Sequence, residues 1–249
     1  MPRTHKTLKR LFLDTPLEAG TEIILERDHS NYLVNVLRMR VGDTIILFNG
    51  RDGAWLAEIE AAGKKSTQVR LVEQTSPQTP SPELWYGFAP LKSARLDYMI
   101  QKATEMGVGN IQPVITQFTQ VSRIKQDRMK ANAIEAAEQC EVLGVPEVFE
   151  PVSLEQLIAD WPQVHKGRKL IVADEEEKSA SPIEVLGRLE GQMLGLLIGP
   201  EGGFSKEERA LLKKQSFVVP ISLGPRILRA DTAAVAGLAV IQSIIGDWR

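Results

Sequence analysis

The sequence predicts an α/β protein in two parts. A small β-barrel occupies residues 1–74, and an α/β domain with a mainly parallel sheet occupies 84–249. Three observations predict this. Short apolar strands separated by turn signals fill the first part. The stretch QTSPQTPSPE, three prolines among polar residues, marks a linker over 75–83. Beyond it, strand-like and helix-like segments alternate, the pattern of parallel sheets with crossover helices.

The elements follow in order. Thr21–Glu26 is a short strand, and Asp28-His29-Ser30 then offers capping residues before Tyr32, Leu33, Val36 and Leu37 at helical spacing. Thr44–Phe48 is β-rich and ends at Asn49-Gly50-Arg51-Asp52-Gly53, a turn signal. Ala54–Ile59 and Gln68–Val72 complete the barrel, joined through a turn at Gly63-Lys64-Lys65-Ser66. After the linker, Leu84–Ala89 is a strand and Arg95–Met106 an amphipathic helix stopped by Gly107. Asn110–Thr116 is a strand, and Arg128–Leu143 a helix that places Cys140 on its apolar side, as core, and Val142 on its polar side. The alternation continues through Glu147–Val152, Ser153–Trp161, Lys169–Ala173, Pro182–Leu189, Met193–Ile198, Lys206–Gln215 and Phe217–Leu223. A last helix spans Thr232–Ile245 and is apolar on every face, so it must be buried in the core or against a second copy of the chain.

Composition removes several functional classes. The 249 residues are 43% apolar and 25% charged, which excludes a disordered or low-complexity chain. No apolar run is long enough for a membrane span, and the basic start leads into no apolar segment of a secretory signal. One cysteine, Cys140, excludes an internal disulfide framework and fits a cytoplasmic protein. The three scattered histidines, His5, His29 and His165, make no zinc pattern, so no metal is expected. The net charge of −2 means that attraction to RNA must come from local patches. The richest one is the acid-free start, where Arg3, Lys6, Lys9 and Arg10 suit phosphate contact, or else form a solubilising tail.

Two segments carry chemistry. In the first, the strand ending at Ile198 runs into Gly199-Pro200-Glu201-Gly202-Gly203, and Ser205 with Glu208 then forms a capping box. Glycines at a strand end let backbone approach a ligand. The spacing is neither the dinucleotide fingerprint nor a P-loop, and Glu201 argues against a polyphosphate. In the second, a strand ends at Gly224-Pro225 and a loop follows with Ile227, Leu228, Arg229 and Asp231. Two adjacent Gly-Pro exits make two walls of one pocket, and loop Ile227 and Leu228 suit a flat ligand such as a purine. The competing readings are a tight strand-to-helix connection without a ligand for the first loop, and for the second an Arg229–Asp231 pair closing the loop onto a helix N-terminus.

GPEGGFSKEE, LGPRILRADTA, KSARLDYMIQKATEMGVGNIQP and HSNYLVNVLRMRVGD together resemble the bacterial 16S rRNA uridine-N3 methyltransferases of the SPOUT group, over nearly the whole chain and in the same order. The resemblance implies a PUA-like barrel before a trefoil-knotted α/β methyltransferase domain, knotted where the last helix tucks through. It implies S-adenosylmethionine as cofactor, a homodimer, and 16S rRNA of the small ribosomal subunit as partner. Carried over by position, Leu197, Ile198, Gly199 and Gly203 line one side of the cofactor site, and Leu223, Gly224, Ile227, Leu228, Arg229 and Thr232 the other. Arg10-Leu11-Phe12 resembles the family's R-x-F start, which points to Arg3, Lys9 and Arg10 as RNA contacts.

One departure is that the family's arginine after E-Q-C-G is Val142 here, which puts a phosphate contact in doubt. For methyl transfer, Arg229 is the candidate to stabilise negative charge on the uracil, while Glu201 and Asp231 both stand as proton acceptors with neither marked by a motif. Two alternatives are a SPOUT methyltransferase acting on another rRNA or tRNA position, and a non-catalytic RNA-binding assembly factor.

Overall fold

A computed structural model describes residues 8–80, 82–121, 123–176 and 181–248. Arg3 and Lys6 lie outside them. The chain divides into two compact units, and the first takes the amino-terminal part to about residue 81 together with Ala137–Val145.

The first unit is a five-stranded sheet in the order β1-β3-β4-β5-β2, built from β1 (Arg10–Phe12), β2 (Glu22–Leu25), β3 (Thr44–Phe48), β4 (Ala54–Ala61) and β5 (Thr67–Ser76). Strand β1 pairs with β3 in parallel and was not among the expected strands; the other pairs are antiparallel. Ile45, Ile46, Leu47 and Phe48 of β3 are all buried, because apolar groups cover both faces of this strand. Leu33, Ile45, Leu47, Ile59, Val69 and Leu71 form one core. Ile46, Phe48 and Ala54 form another with Ala137 and Leu143. Strand β5 carries pairing through Ser76, past the expected domain end at 74 and into the expected linker. The predicted helix over Tyr32–Leu37 forms as α1 (Arg27–Asn31) followed by a π-helical turn at Tyr32–Val36.

Residues 137–145 correct the sequence reading. Helix α3 (Gln126–Gln139) stops before Cys140, and Glu141 takes a left-handed φ of 59°. The helical face extrapolated to Leu143 therefore ends early. Cys140 is exposed instead of core. Val142 is half-buried and packs on the Phe48 cluster, instead of standing on a polar face.

The second unit is a parallel sheet in the order β12-β10-β11-β6-β7-β8. Its strands are β6 (Trp85–Phe88), β7 (Asn110–Ile115), β8 (Glu147–Val148), β10 (Lys169–Ala173), β11 (Leu194–Ile198) and β12 (Val218–Ile221), with β9 (Val152–Ser153) pairing further along β7. Such strands are apolar throughout because both faces are covered. On one face Trp85 meets Trp161 edge-on at 4.9 Å, beside Leu154 and Leu157 of α4 (Leu154–Val164). α2 (Ser93–Glu105) and α5 (Pro182–Gly187) both pack against α7 (Ala230–Ile245), which also packs on β11. After β11, the chain forms α6 (Lys206–Lys213) and then β12, which pairs with β10 and not with β11. It then returns past β10, so that α7 lies against β11, the return path a knotted carboxyl end takes. A Cβ on Gly237 would stand 3.0 Å from Leu196 Cδ2, so the helix is seated closely. Among the described residues, no helix is long and apolar enough to cross a membrane.

Candidate active site

Three parallel strands, β10, β11 and β12, end side by side. The register pairs Ala173 with both Ile198 and Ile221, so their loops leave the sheet at one level. A cavity of about 380 Å³ opens there, the position where open α/β sheets place ligands. Ile198, Gly199 and Gly203 line one wall, and Leu223, Gly224, Ile227, Leu228 and Arg229 the facing one. Ile227 is 84% exposed, an apolar side chain left open on the cavity rim.

Leu197 and Thr232 do not line the cavity. Successive strand side chains point to opposite faces, so Leu197 goes into the core with Trp85, Trp161 and Phe204 while Ile198 faces the cavity. On α7 the lining positions are Ala230 and Ala233, three apart on one helical face; Thr232 falls outside it and is exposed.

A third wall was not expected from the sequence. Asp174 and Glu175, at the exit of β10, face the loop after β11. They are held by Arg209 on α6, whose Nε lies 3.1 Å from Asp174 Oδ2 and whose Nη1 lies 2.8 Å from Glu176 Oε1. Arg209 Nη2 reaches Glu175 Oε1 at 3.5 Å. The helix carrying Arg209 starts at a complete capping box. Ser205 Oγ accepts from Glu208 N–H, and Glu208 accepts from Ser205 N–H and from Gln117 N–H. The φ of +71° requires glycine at 203, and a Cβ there would also displace the flexible end of Glu175, whose Oε1 would lie 2.7 Å away. The backbone thus fills space that any side chain would take from the cavity wall.

The cavity carries Asp174, Glu175 and Glu201 against Arg226 and Arg229. These carboxylates, though paired with Arg209 and Arg95, offer oxygens that suit a ligand bearing positive charge beside a polar tail. Of the two acids considered as proton acceptors, Glu201 lines the cavity and Asp231 does not. Asp231 acts instead on Tyr86, whose fully buried hydroxyl has no hydrogen-bond partner. Burial pushes that phenol well above its ordinary value, and the charge of Asp231 adds to the shift. Among the described residues, no group of three or more His, Cys, Asp or Glu is placed to hold a metal ion.

In the first unit, Lys9 is exposed beside a groove formed with Leu37, Met39 and Thr44. Arg10 turns inward: its guanidinium carbon lies 4.9 Å from the Phe48 ring centroid, and its Nε and Nη2 are buried without a hydrogen-bond partner. Burial lowers its pKa, and the nearby charges of Glu141 and Glu138 oppose that shift.

Two family models match the chain. One is the RNA methyltransferase domain, over residues 77–242, and the other the RNA methyltransferase PUA domain, over 25–72. A relative from Rickettsia conorii named "Ribosomal RNA small subunit methyltransferase E" is 32% identical, covering 94% of each chain. A Bacillus subtilis relative of the same name is 28% identical, over 94% of this chain and 96% of its own. A methyltransferase from Legionella pneumophila, solved in complex with the bound cofactor SAM, superposes with a TM-score of 0.81 at 32% identity, covering 95% of this chain and 97% of that one. A ribosomal RNA small subunit methyltransferase E from Neisseria gonorrhoeae, bound to S-adenosyl methionine, superposes with a TM-score of 0.84 at 26% identity over 97% and 100%.

Proposed function

This chain belongs to the RNA methyltransferase family, with its PUA and methyltransferase domains both present, and from that premise we propose that it transfers a methyl group from S-adenosylmethionine to N3 of a uridine in 16S rRNA. The small ribosomal subunit or its RNA is then the partner, met in the cytosol. The observation that carries the reading is the cavity at three strand ends, closed by backbone at Gly203 and edged with carboxylates.

The lining fits the cofactor. Ile198, Leu223, Ile227 and Leu228 offer apolar surface to an adenine, Gly199, Gly203 and Gly224 leave room for close backbone approach, and Asp174, Glu175 and Glu201 suit a sulfonium and an ammonium. When bound, the cofactor supplies an electrophilic methyl group. The chain must do the rest. It must take an unpaired uracil, since N3 sits on the Watson–Crick edge. It must accept the N3 proton, and of Glu201 and Asp231, the two acids considered for this, Glu201 is the one that lines the cavity. It must stabilise the negative charge left on the uracil oxygens, the role assigned to exposed Arg229 at the start of α7. Holding both reactants in one cavity supplies several kcal/mol of the barrier. For RNA contact by the first unit, Lys9 is the exposed cation of the basic start, joined in sequence by Arg3, while Arg10 is turned onto Phe48.

The test is incubation of unmodified small ribosomal subunits with the protein and S-adenosylmethionine, followed by mass analysis of nucleosides. N3-methyluridine is expected. A ribose-methylated or differently methylated product would replace the position proposed, and cofactor binding without transfer would make the chain a non-catalytic assembly factor.

A further inference from the structure

Glu201 belongs to two hollows at once. Besides lining the strand-end cavity, it forms one edge of a shallower groove of about 470 Å³ shared with Lys92, Ala94, Arg95 and Gln120. All five residues belong to the second unit. Arg95 and Glu201 form an ion pair in which each side chain is 39% exposed. An exposed pair of this kind contributes little to stability and exchanges partners readily, so an incoming phosphate can take Arg95 from Glu201. Lys92 adds a second, exposed cation.

The groove also has an aromatic neighbour. Phe118, two residues from Gln120, is 45% exposed. It packs on the loop that carries Glu201, since a Cβ on Gly202 would come within 3.3 Å of the Phe118 Cβ. A large aromatic left half in water against the loop of Glu201, next to the groove's edge, is not core packing. Such a set matches single-stranded RNA: a ring face for a base, cations for phosphate, an amide for a base edge. Tethering α2 to the loop accounts for the ion pair alone, but not for the open ring, the second cation or the continuity with the cofactor cavity.

We propose that this groove receives the acceptor nucleotide. Phe118 stacks on the base, Gln120 donates an amide N–H to a uracil carbonyl, and Lys92 and Arg95 hold the flanking phosphates. The base then reaches the cofactor cavity past Glu201. This rests on the RNA methyltransferase reading above and names where that reading's second substrate binds.

The experiment uses the full chain and small ribosomal subunits lacking the modification. Phe118→Ala, Phe118→Tyr and Lys92→Ala are compared with wild type for cofactor binding by calorimetry, for kcat and KM toward the subunits, and for the salt dependence of subunit binding. Phe118→Ala should lower kcat/KM by roughly tenfold or more, the scale of one lost base stack, and Phe118→Tyr should restore most of it. Lys92→Ala should raise KM with kcat retained and reduce the salt slope by about one. Cofactor affinity should match wild type in all three. Wild-type kcat/KM in Phe118→Ala, or an unchanged salt slope in Lys92→Ala, overturns the groove while wild-type activity leaves the methyltransferase reading standing. A wild-type protein that binds no cofactor and methylates no subunit removes both. If Phe118→Ala fails to fold, the exposed Lys92 variant decides.

Discussion

At Gly203, the left-handed φ disfavours any side chain, and one placed there would also push aside the flexible end of Glu175. Gly203→Val should therefore distort the loop after β11 and weaken S-adenosylmethionine binding by far more than it lowers stability. Calorimetric titration alongside thermal unfolding checks this, and wild-type affinity in the variant would remove the loop from the site. Other residues were less legible. Arg10 stands in a basic run, but its guanidinium lies over Phe48, because a cation with a flat apolar face packs on a ring as readily as it meets water. Val142 looks like a misplaced apolar residue only if the helix continues to Leu143. Once α3 ends at Gln139, Val142 becomes packing for the barrel.

Among the elements, α6 shows how a local signal becomes part of a site. The S-x-x-E spacing is readable in the sequence, and the capping box forms as expected. Its further consequence is tertiary: Glu208 also accepts Gln117 N–H, and the helix start aims Arg209 at Asp174 and Glu176. Ser205→Ala removes one acceptor and should cost about 1 kcal/mol, read as a fall of about 2–4 °C in Tm for a chain of this size. Glu208→Ala should cost more, since it takes the acceptor from two backbone N–H groups, the buried one of Ser205 at roughly 1–3 kcal/mol and that of the exposed Gln117 at less. Equal unfolding temperatures for both variants would mean that the link to Gln117 contributes nothing.

For the whole molecule, the question is what covers α7. Ala230, Ala234, Gly237, Leu238 and Ile241 are buried within the chain. Val235, Ala236, Ala239 and Val240 are only half-buried, a second apolar stripe at helical spacing. We propose that a second copy covers it, in a two-fold symmetric homodimer. Sedimentation at micromolar concentration should then report about twice the chain mass of 27.6 kDa. A monomer at that concentration would leave the stripe as surface.

From the sequence alone came the order of strands and helices apart from β1 and the split of Glu147–Ser153 into β8 and β9, the two glycine-proline strand exits, the capping box of α6 and the resemblance that joins them. Each rests on interactions within a few residues, where spacing and residue type dictate backbone shape. The β10 wall, Asp174 and Glu175 against Gly203, depended on the tertiary structure. No local pattern tells which strand lies beside β11, and this is decided by the sheet order that places β10 between β11 and β12. The same holds for the exclusion of Leu197 and Thr232 and for the second role of Glu201 beside Arg95. Which face of an element meets a cavity, and which distant side chain waits there, is set by packing over long sequence separations, where burying the apolar faces of the sheet selects one arrangement among many that local propensity permits.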